Sequence, residues 1–445
     1  MAMGEAKGHG ATLQVEMICL DDLVPVDDRY RTLDGLVDWS FVRSEAAPYY
    51  ADELGRPSVD PIVLVKLLLC AALEGIDSMR ELVRVAGMRF DLRRFLGYGF
   101  SERLPAHQTL SHAQTRRFVD GQLCERLFLR SLALCAEHRL IEGTHLSVDG
   151  FHTEANAALQ SLRASLAALP APAPGTEPGS EAVAQQRSPQ LALAEPRSGP
   201  TPKRRSSNAI SVSLTDPDAR LRGKPGQRPH LVHRGQVAVD PRARCVVACR
   251  GEGADGFEGD ALVPLVERAR FSCPELASLG ADRGFAAERV WRELAEHGLV
   301  AYIPPQPQKL PPHGIARSEA QRLAVEARAR CKSERGIWAH KRRMADAEGV
   351  ISELKNEHGL ARARSRGTPL FHLQLLVGCA AINYKRLAQH AGEAASGVAC
   401  GACEEPAHAA AAVGHSQPAK PNAGAATAPR HSHSAAIWSY AVCLN

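Results

Sequence analysis

Three acids and one base stand where carboxylates and ammonium groups can do chemistry together. Asp149 closes the alternating run HLSVDG, and Asp282 follows the apolar run LASLGA. A lone acid after a strand is ordinarily a turn residue or a helix cap. Two of them side by side would have a different consequence. Adjacent strands lie about 4.8 Å apart, so if these two segments are neighbours their carboxylates repel unless a divalent cation sits between them. Hard Mg²⁺ or Mn²⁺ prefers such oxygen donors. Glu348 and Lys355 are seven residues apart in RRMADAEGVISELKNEHG. At about 100° per residue they share a helix face to within about 20°, an arrangement that suits a metal ligand next to a phosphate contact. A solvated surface helix carries similar charges, and Asp346, Glu353 and Glu357 offer the same chemistry. Glu353, roughly 140° round the helix from Glu348, is the main rival.

The elements that must position these residues follow from periodicity. Residues 20–142 read as helical throughout: Asp60-Pro61 is an N-cap and first-turn pair, SMRELVRVAG is amphipathic, and Thr109 or Ser111 is a candidate cap for a further helix. Arg80, Arg84, Arg89, Arg93, Arg94, Arg116 and Arg117 decorate this region, which suits either a helix-turn-helix reader of DNA or a helical dimerisation domain. From Thr144 the period changes. THLSVDGFHTEA alternates as a strand, LVHRGQVAVD and ARCVVACRG form a hairpin turning at Asp240-Pro241, and strand–helix–strand alternation follows. The fold class expected is α/β, a mixed sheet flanked by helices and preceded by an all-helical N-terminal domain. The boundaries read as 1–142 for the helical domain, 143–390 for the sheet domain and 391–445 for a low-complexity, disordered tail, with a flexible Pro/Ala/Ser-rich insertion at 160–207.

The net charge of the 445 residues is only +5, but the charge is uneven. Residues 202–245 hold ten Lys or Arg against three acids, and residues 338–390 hold nine against four. Such regions suit a polyanion, nucleic acid being the commonest, and Lys203-Arg204-Arg205 at the end of the insertion suits phosphate. Cys70, Cys124, Cys135 and Cys379 lie among apolar residues, as reduced core thiols in a cytosolic protein do. The longest apolar run, PIVLVKLLLCAALEG, is interrupted by Lys66 and too short for a bilayer, so a soluble protein without membrane association is expected. CGAC at 400–403 with the histidines after it has irregular spacing for zinc, and GEGADG lacks the third glycine of a phosphate loop. Asp216 and Asp218 read as turn residues.

SVDGFHTEANA, TDPDARLRGKPGQRPHLVHRGQVAVD, LGADRGF, RRMADAEGVISELKNEHGLARARSRG and CAAINYKRL, in that order, resemble the catalytic domain of bacterial DDE insertion-sequence transposases. PAHQTLSHAQTRRF resembles their N-terminal domain, so the similarity runs over most of residues 15–390. The resemblance implies an RNase H-like sheet, with Asp149, Asp282 and Glu348 as catalytic acids and metal ligands for two Mg²⁺ or Mn²⁺ ions. It implies DNA contacts from Lys355, Arg343, Arg362, Arg364 and Arg366. The arginine that many relatives carry four residues before the Glu is Met344 here, with Arg343 one place away, and Lys341 replaces their aromatic residue. The expected function is a transposase that binds element ends and catalyses metal-dependent strand cleavage and transfer. Its partners would be double-stranded DNA, as ends and target, and a second copy in a homodimer on paired ends. Its place would be the bacterial cytoplasm, at the nucleoid. The alternatives are a catalytically silent, transposase-derived DNA-binding protein and an RNase H-like nuclease.

Overall fold

The change of period at Thr144 is where the helices give way to a sheet. The computed structural model describes residues 17–50, 58–118, 120–164, 211–223, 228–307 and 318–396, with isolated residues 208, 226 and 316. Most of the insertion, its Lys203-Arg204-Arg205 end and the CGAC segment lie outside the described residues. Seven helices come first: α1 (Arg29–Leu36), α2 (Phe41–Ala46), α3 (Pro61–Leu73), α4 (Met79–Met88), α5 (Phe90–Leu96), α6 (His107–His112) and α7 (Gln122–Glu137). Asp60 and Ser78 cap α3 and α4 through their side chains. α6 starts earlier than expected, at His107 after the extended Ala106. Thr109 and Ser111 therefore fall inside it, and Ser111 Oγ donates back to the His107 carbonyl rather than capping. Lys66, the interruption in the apolar run, is 8% exposed. It donates to Asp34 (2.6 Å) and to the Phe95 carbonyl (2.8 Å), which satisfies its charge.

The sheet is built from β1 (His145–Glu154), β4 (Arg220–Arg222), β5 (His230–Val239), β6 (Val246–Gly253), β7 (Ser278–Gly280) and β8 (Val300–Tyr302). A separate pair, β2 (Leu162–Ala164) and β3 (Ser211–Ser213), joins the two flanks of the insertion. β1 lies between antiparallel β5 and parallel β7; β8 runs parallel beyond β7, while β6 and β4 share the other edge of β5. The order β6-β5-β1-β7-β8, three antiparallel strands followed by two parallel ones, is that of an RNase H-like sheet.

The remaining helices are α8 (Leu262–Arg270), α9 (Glu288–Glu296), α10 (Glu319–Lys332), α11 (Glu334–Asn356) and α12 (Thr368–Ser396). α11 presents Ala339, Ala347, Val350 and Leu354 inward, all fully buried. α12 packs on β6 and α7. It continues through Ser396, past residue 390 where composition marked the end of order, because AGEAAS is still rich in helix formers. Asn383 fastens these layers: its Oδ1 accepts from Val246 N (2.9 Å), and its Nδ2 donates to the Val246 carbonyl (3.0 Å) and Ser131 Oγ (3.2 Å).

One hydrophobic cluster runs without a break from Tyr30 on α1 through the sheet to Ala388 on α12. The helical region and the sheet thus share a core. Gly75 marks one close approach: at φ +63°, a Cβ there would lie 2.7 Å from the Glu357 carbonyl oxygen. Gly75→Ala is expected to lower stability by about 1–3 kcal/mol from backbone strain and this contact, measured by urea denaturation.

Candidate active site

The alternation of β1 turns its odd-numbered side chains toward α11. The His145 ring meets Trp338 at 4.8 Å between centroids, and Ser147 Oγ donates to Asp346 (3.4 Å). Asp149 is next on that face. β1 and β7 pair as Leu146 with Leu279 and Ser147 with Gly280. Asp149 and Asp282 are each two residues beyond the last pair, Asp149 still within β1 and Asp282 just past the end of β7. Gly280 allows the helix in: a Cβ there would lie 3.2 Å from the Ala339 carbonyl oxygen. Past β7 the chain turns through Arg283–Phe285, and Asp282 caps that turn by accepting from Gly284 N (2.7 Å). The turn-residue role that a lone acid would have is therefore also present.

Glu348 lies on α11 with its side chain 49% exposed. One guanidinium links it to the strand: Arg343 Nη1 is 2.5 Å from Asp149 Oδ2, and Nη2 is 2.9 Å from Glu348 Oε1. Burial pushes the Asp149 carboxyl up to about 6; Arg343 and Gly150 N oppose this, and the negative charges of Asp282 and Glu348 add to it. Negative charge is thus concentrated here, with Arg343 as a counter-ion. The three acids are not drawn to within 4.8 Å of one another, a spacing that is found among the described residues only for Glu353, Glu357 and His358. That second cluster already contains a cation, since Lys385 Nζ lies 2.8 Å from Glu353 and 2.7 Å from Glu357. With Arg386 and His358 also on it, Glu353 has three basic partners where Glu348 has Arg343.

A fourth acid was not found from the sequence. Glu258 follows β6, and a Cβ on Gly284 would lie 2.5 Å from Glu258 Oε2 and 2.8 Å from Asp282 Oδ1. The two carboxylates therefore flank the same glycine. Burial raises the Glu258 carboxyl above its ordinary value, and Asp282 is the next cause. The one available signal was GEGADGFEGD itself, set aside as a failed phosphate loop.

The basic residues divide. Lys355 Nζ lies 5.5 Å from the Phe151 ring centroid, two residues beyond Asp149. The 361–363 segment runs beside the end of β1, with Ala363 N donating to the Glu154 carbonyl (2.7 Å). Arg362 and Arg366 are exposed there. Arg364 turns inward instead, 3.5 Å from Asp77 and 3.4 Å from the Ala71 carbonyl. Several arginines of the helical region are paired with acids: Arg84 with Glu81 at the surface, Arg89 with Glu74 and Asp91, and Arg94 with Asp21. Asp216 is more than a turn residue, being fully buried and 2.9 Å from His233 Nε2.

A divalent cation fits what these side chains offer. The donors are all carboxylate oxygens, and their mutual repulsion is what such an ion would relieve. Two family models match the chain, one described as a transposase domain (DUF772) over residues 18–116 and one as a transposase DDE domain over residues 311–388. Both matches support a transposase of the DDE class, a class whose chemistry depends on divalent metal ions. The second match takes in Glu348 and Lys355; Asp149 and Asp282 lie before it. Among solved structures, the piggyBac transposase synaptic complex with hairpin DNA is similar at 10% identity, over 83% of this chain and 75% of that one, with a TM-score of 0.33. No curated protein matches the chain. Among the described residues no helix is long and apolar enough to cross a membrane.

Proposed function

We propose that the chain cleaves DNA strands at the ends of a bacterial insertion sequence and joins the freed ends to target DNA, with Asp149, Asp282 and Glu348 holding two Mg²⁺ or Mn²⁺ ions. The observation that carries this reading is the equal offset of Asp149 and Asp282 from the last β1–β7 pair, with Glu348 tied to Asp149 through Arg343. When bound, the ions supply Lewis acidity, activating water or a 3′-hydroxyl and stabilising the departing oxygen. Phosphoryl transfer asks chiefly for alignment and charge neutralisation, so no Ser, Cys or His nucleophile is required of the protein. Asp149 and Asp282 are fixed by the sheet and by the Gly284 N–H; Glu348 closes the site from α11. With metal on the acids, Arg343 would be free to meet phosphate, and Lys355, Arg362 and Arg366 would meet it nearby. Arg364, facing Asp77, serves the fold in this account.

The test uses a supercoiled plasmid carrying the genomic sequences that flank the gene. Incubation with Mg²⁺ is expected to give cuts at the element ends that leave 3′-hydroxyls, followed by joined products. EDTA is expected to stop cutting while end binding persists. Cutting at unrelated sites without joining would replace this reading with a nuclease.

A further inference from the structure

The two arginine-rich stretches of the sequence meet in the structure. The turn between β5 and β6 brings Arg242 and Arg244, α11 brings Arg342 and Asp346, and α12 brings Arg386 to an open cleft of about 360 Å³. α11 thus faces two ways: Arg343 reaches Asp149, while its chain neighbour Arg342 lines the cleft. Arg342 is paired with Asp346 (3.0 Å), and Arg386 with Glu353 (2.5 Å). Each guanidinium has further N–H groups beyond those contacts. Arg242 and Arg244 are exposed, and among the described residues neither has a carboxylate within 4.0 Å. Arg244 stands at φ 55°, uncommon for a residue with a side chain. Its Nη1 lies 3.5 Å from where a Cβ would stand on Gly349, next to Glu348.

We propose that this cleft binds DNA phosphate, holding the duplex backbone a few nucleotides from the bond that the acids act on. Charge selects the ligand class, because four guanidiniums face one already paired carboxylate, and guanidinium is well matched to phosphate. Position selects DNA over a free anion. Arg342 and Glu348 are six residues apart on α11, about 9 Å along its axis at ~1.5 Å per residue and about 120° round it at ~100° per residue. Phosphates of one strand recur about every 3.4 Å along a duplex, so this separation spans about three of them. The inference rests on the DNA reading given above, and adds a contact surface that none of Lys355, Arg343, Arg362 or Arg366 provides.

The experiment measures binding of the full chain to a fluorescent duplex by anisotropy over a range of salt concentrations. Arg242→Gln/Arg244→Gln is compared with Arg289→Gln/Arg292→Gln on α9, which removes equal charge elsewhere. The cleft variant is expected to flatten the log K against log salt slope by roughly one to two units, at about 0.9 per phosphate contact, and the α9 variant to leave it near wild type. Equal slopes for wild type and the cleft variant, or equal flattening by both variants, would overturn the inference while leaving the DNA reading intact. No duplex binding by wild type would overturn both. Phosphorus NMR with inorganic phosphate separates the remaining source: phosphate binding that the cleft substitutions remove, with an unchanged DNA slope, would make the occupant a free anion and overturn the proposal.

Discussion

Asp149→Asn is expected to lower strand cleavage by about 10³-fold or more, the scale on which loss of a transition-state charge stabiliser is felt, with duplex binding retained. Asparagine preserves the shape of the side chain and its place on β1, between Val237 and the face of α11. It removes the charge that both Arg343 and a divalent cation would use. Arg343 keeps Glu348 as a partner, so the local fold should survive. Plasmid cleavage and gel-shift assays on the same preparation separate the two effects. A variant that still cuts at more than a tenth of the wild-type rate would remove Asp149 from the chemistry.

Glu353→Ala is expected to destabilise the folded chain by about 3–5 kcal/mol, as breaking one member of a buried ion network does. Its side chain is 12% exposed and receives Lys385 (2.8 Å), Arg386 (2.5 Å) and His358 (3.6 Å), all of which would lose a partner. Burial alone would raise the Glu353 carboxyl; His358, Lys385 and Arg386 more than offset this and hold it well below its ordinary 4.5. A depressed carboxylate contributes stability that is fully present above its unfolded value and is lost as pH falls toward the folded one. The gap between wild type and Glu353→Gln should therefore be full at neutral pH and shrink below about 4.5. Guanidinium denaturation across pH measures it, and a gap that grows on acidification would contradict the sign.

Much of the frame was legible because it rests on local pattern. The switch from helical to alternating period at Thr144, the Asp60-Pro61 start of α3 and the hairpin at Asp240-Pro241 each depend on neighbours in sequence. The ordered set Asp149, Asp282 and Glu348 came from resemblance and belongs to the proposal; the strand register adds that the first two follow the last β1–β7 pair at equal distance. Contacts between distant segments were not legible. Arg343 sits on the inward stripe of Ala339, Ala347, Val350 and Leu354, where a charge must find buried partners. Only the fold shows that those are Asp149 and Glu348. Glu258 meets Asp282 across a loop, and Glu353 gained its committed cations from α12, more than 30 residues away. Arg364 looked like its neighbours in ARARSRG but packs against Asp77. The shared core was hidden for the same reason, since two regions with different periods give no sign in sequence that they bury one another.

The central claim is that Asp149, Asp282 and Glu348 converge on divalent metal, and anomalous scattering from crystals of the protein soaked in Mn²⁺ tests it most directly. Mn²⁺ peaks are expected within bonding distance of those three carboxylates, with Arg343 turned away from Asp149. Arg343 still bridging Asp149 and Glu348, with Mn²⁺ absent from them or bound only elsewhere, would contradict it.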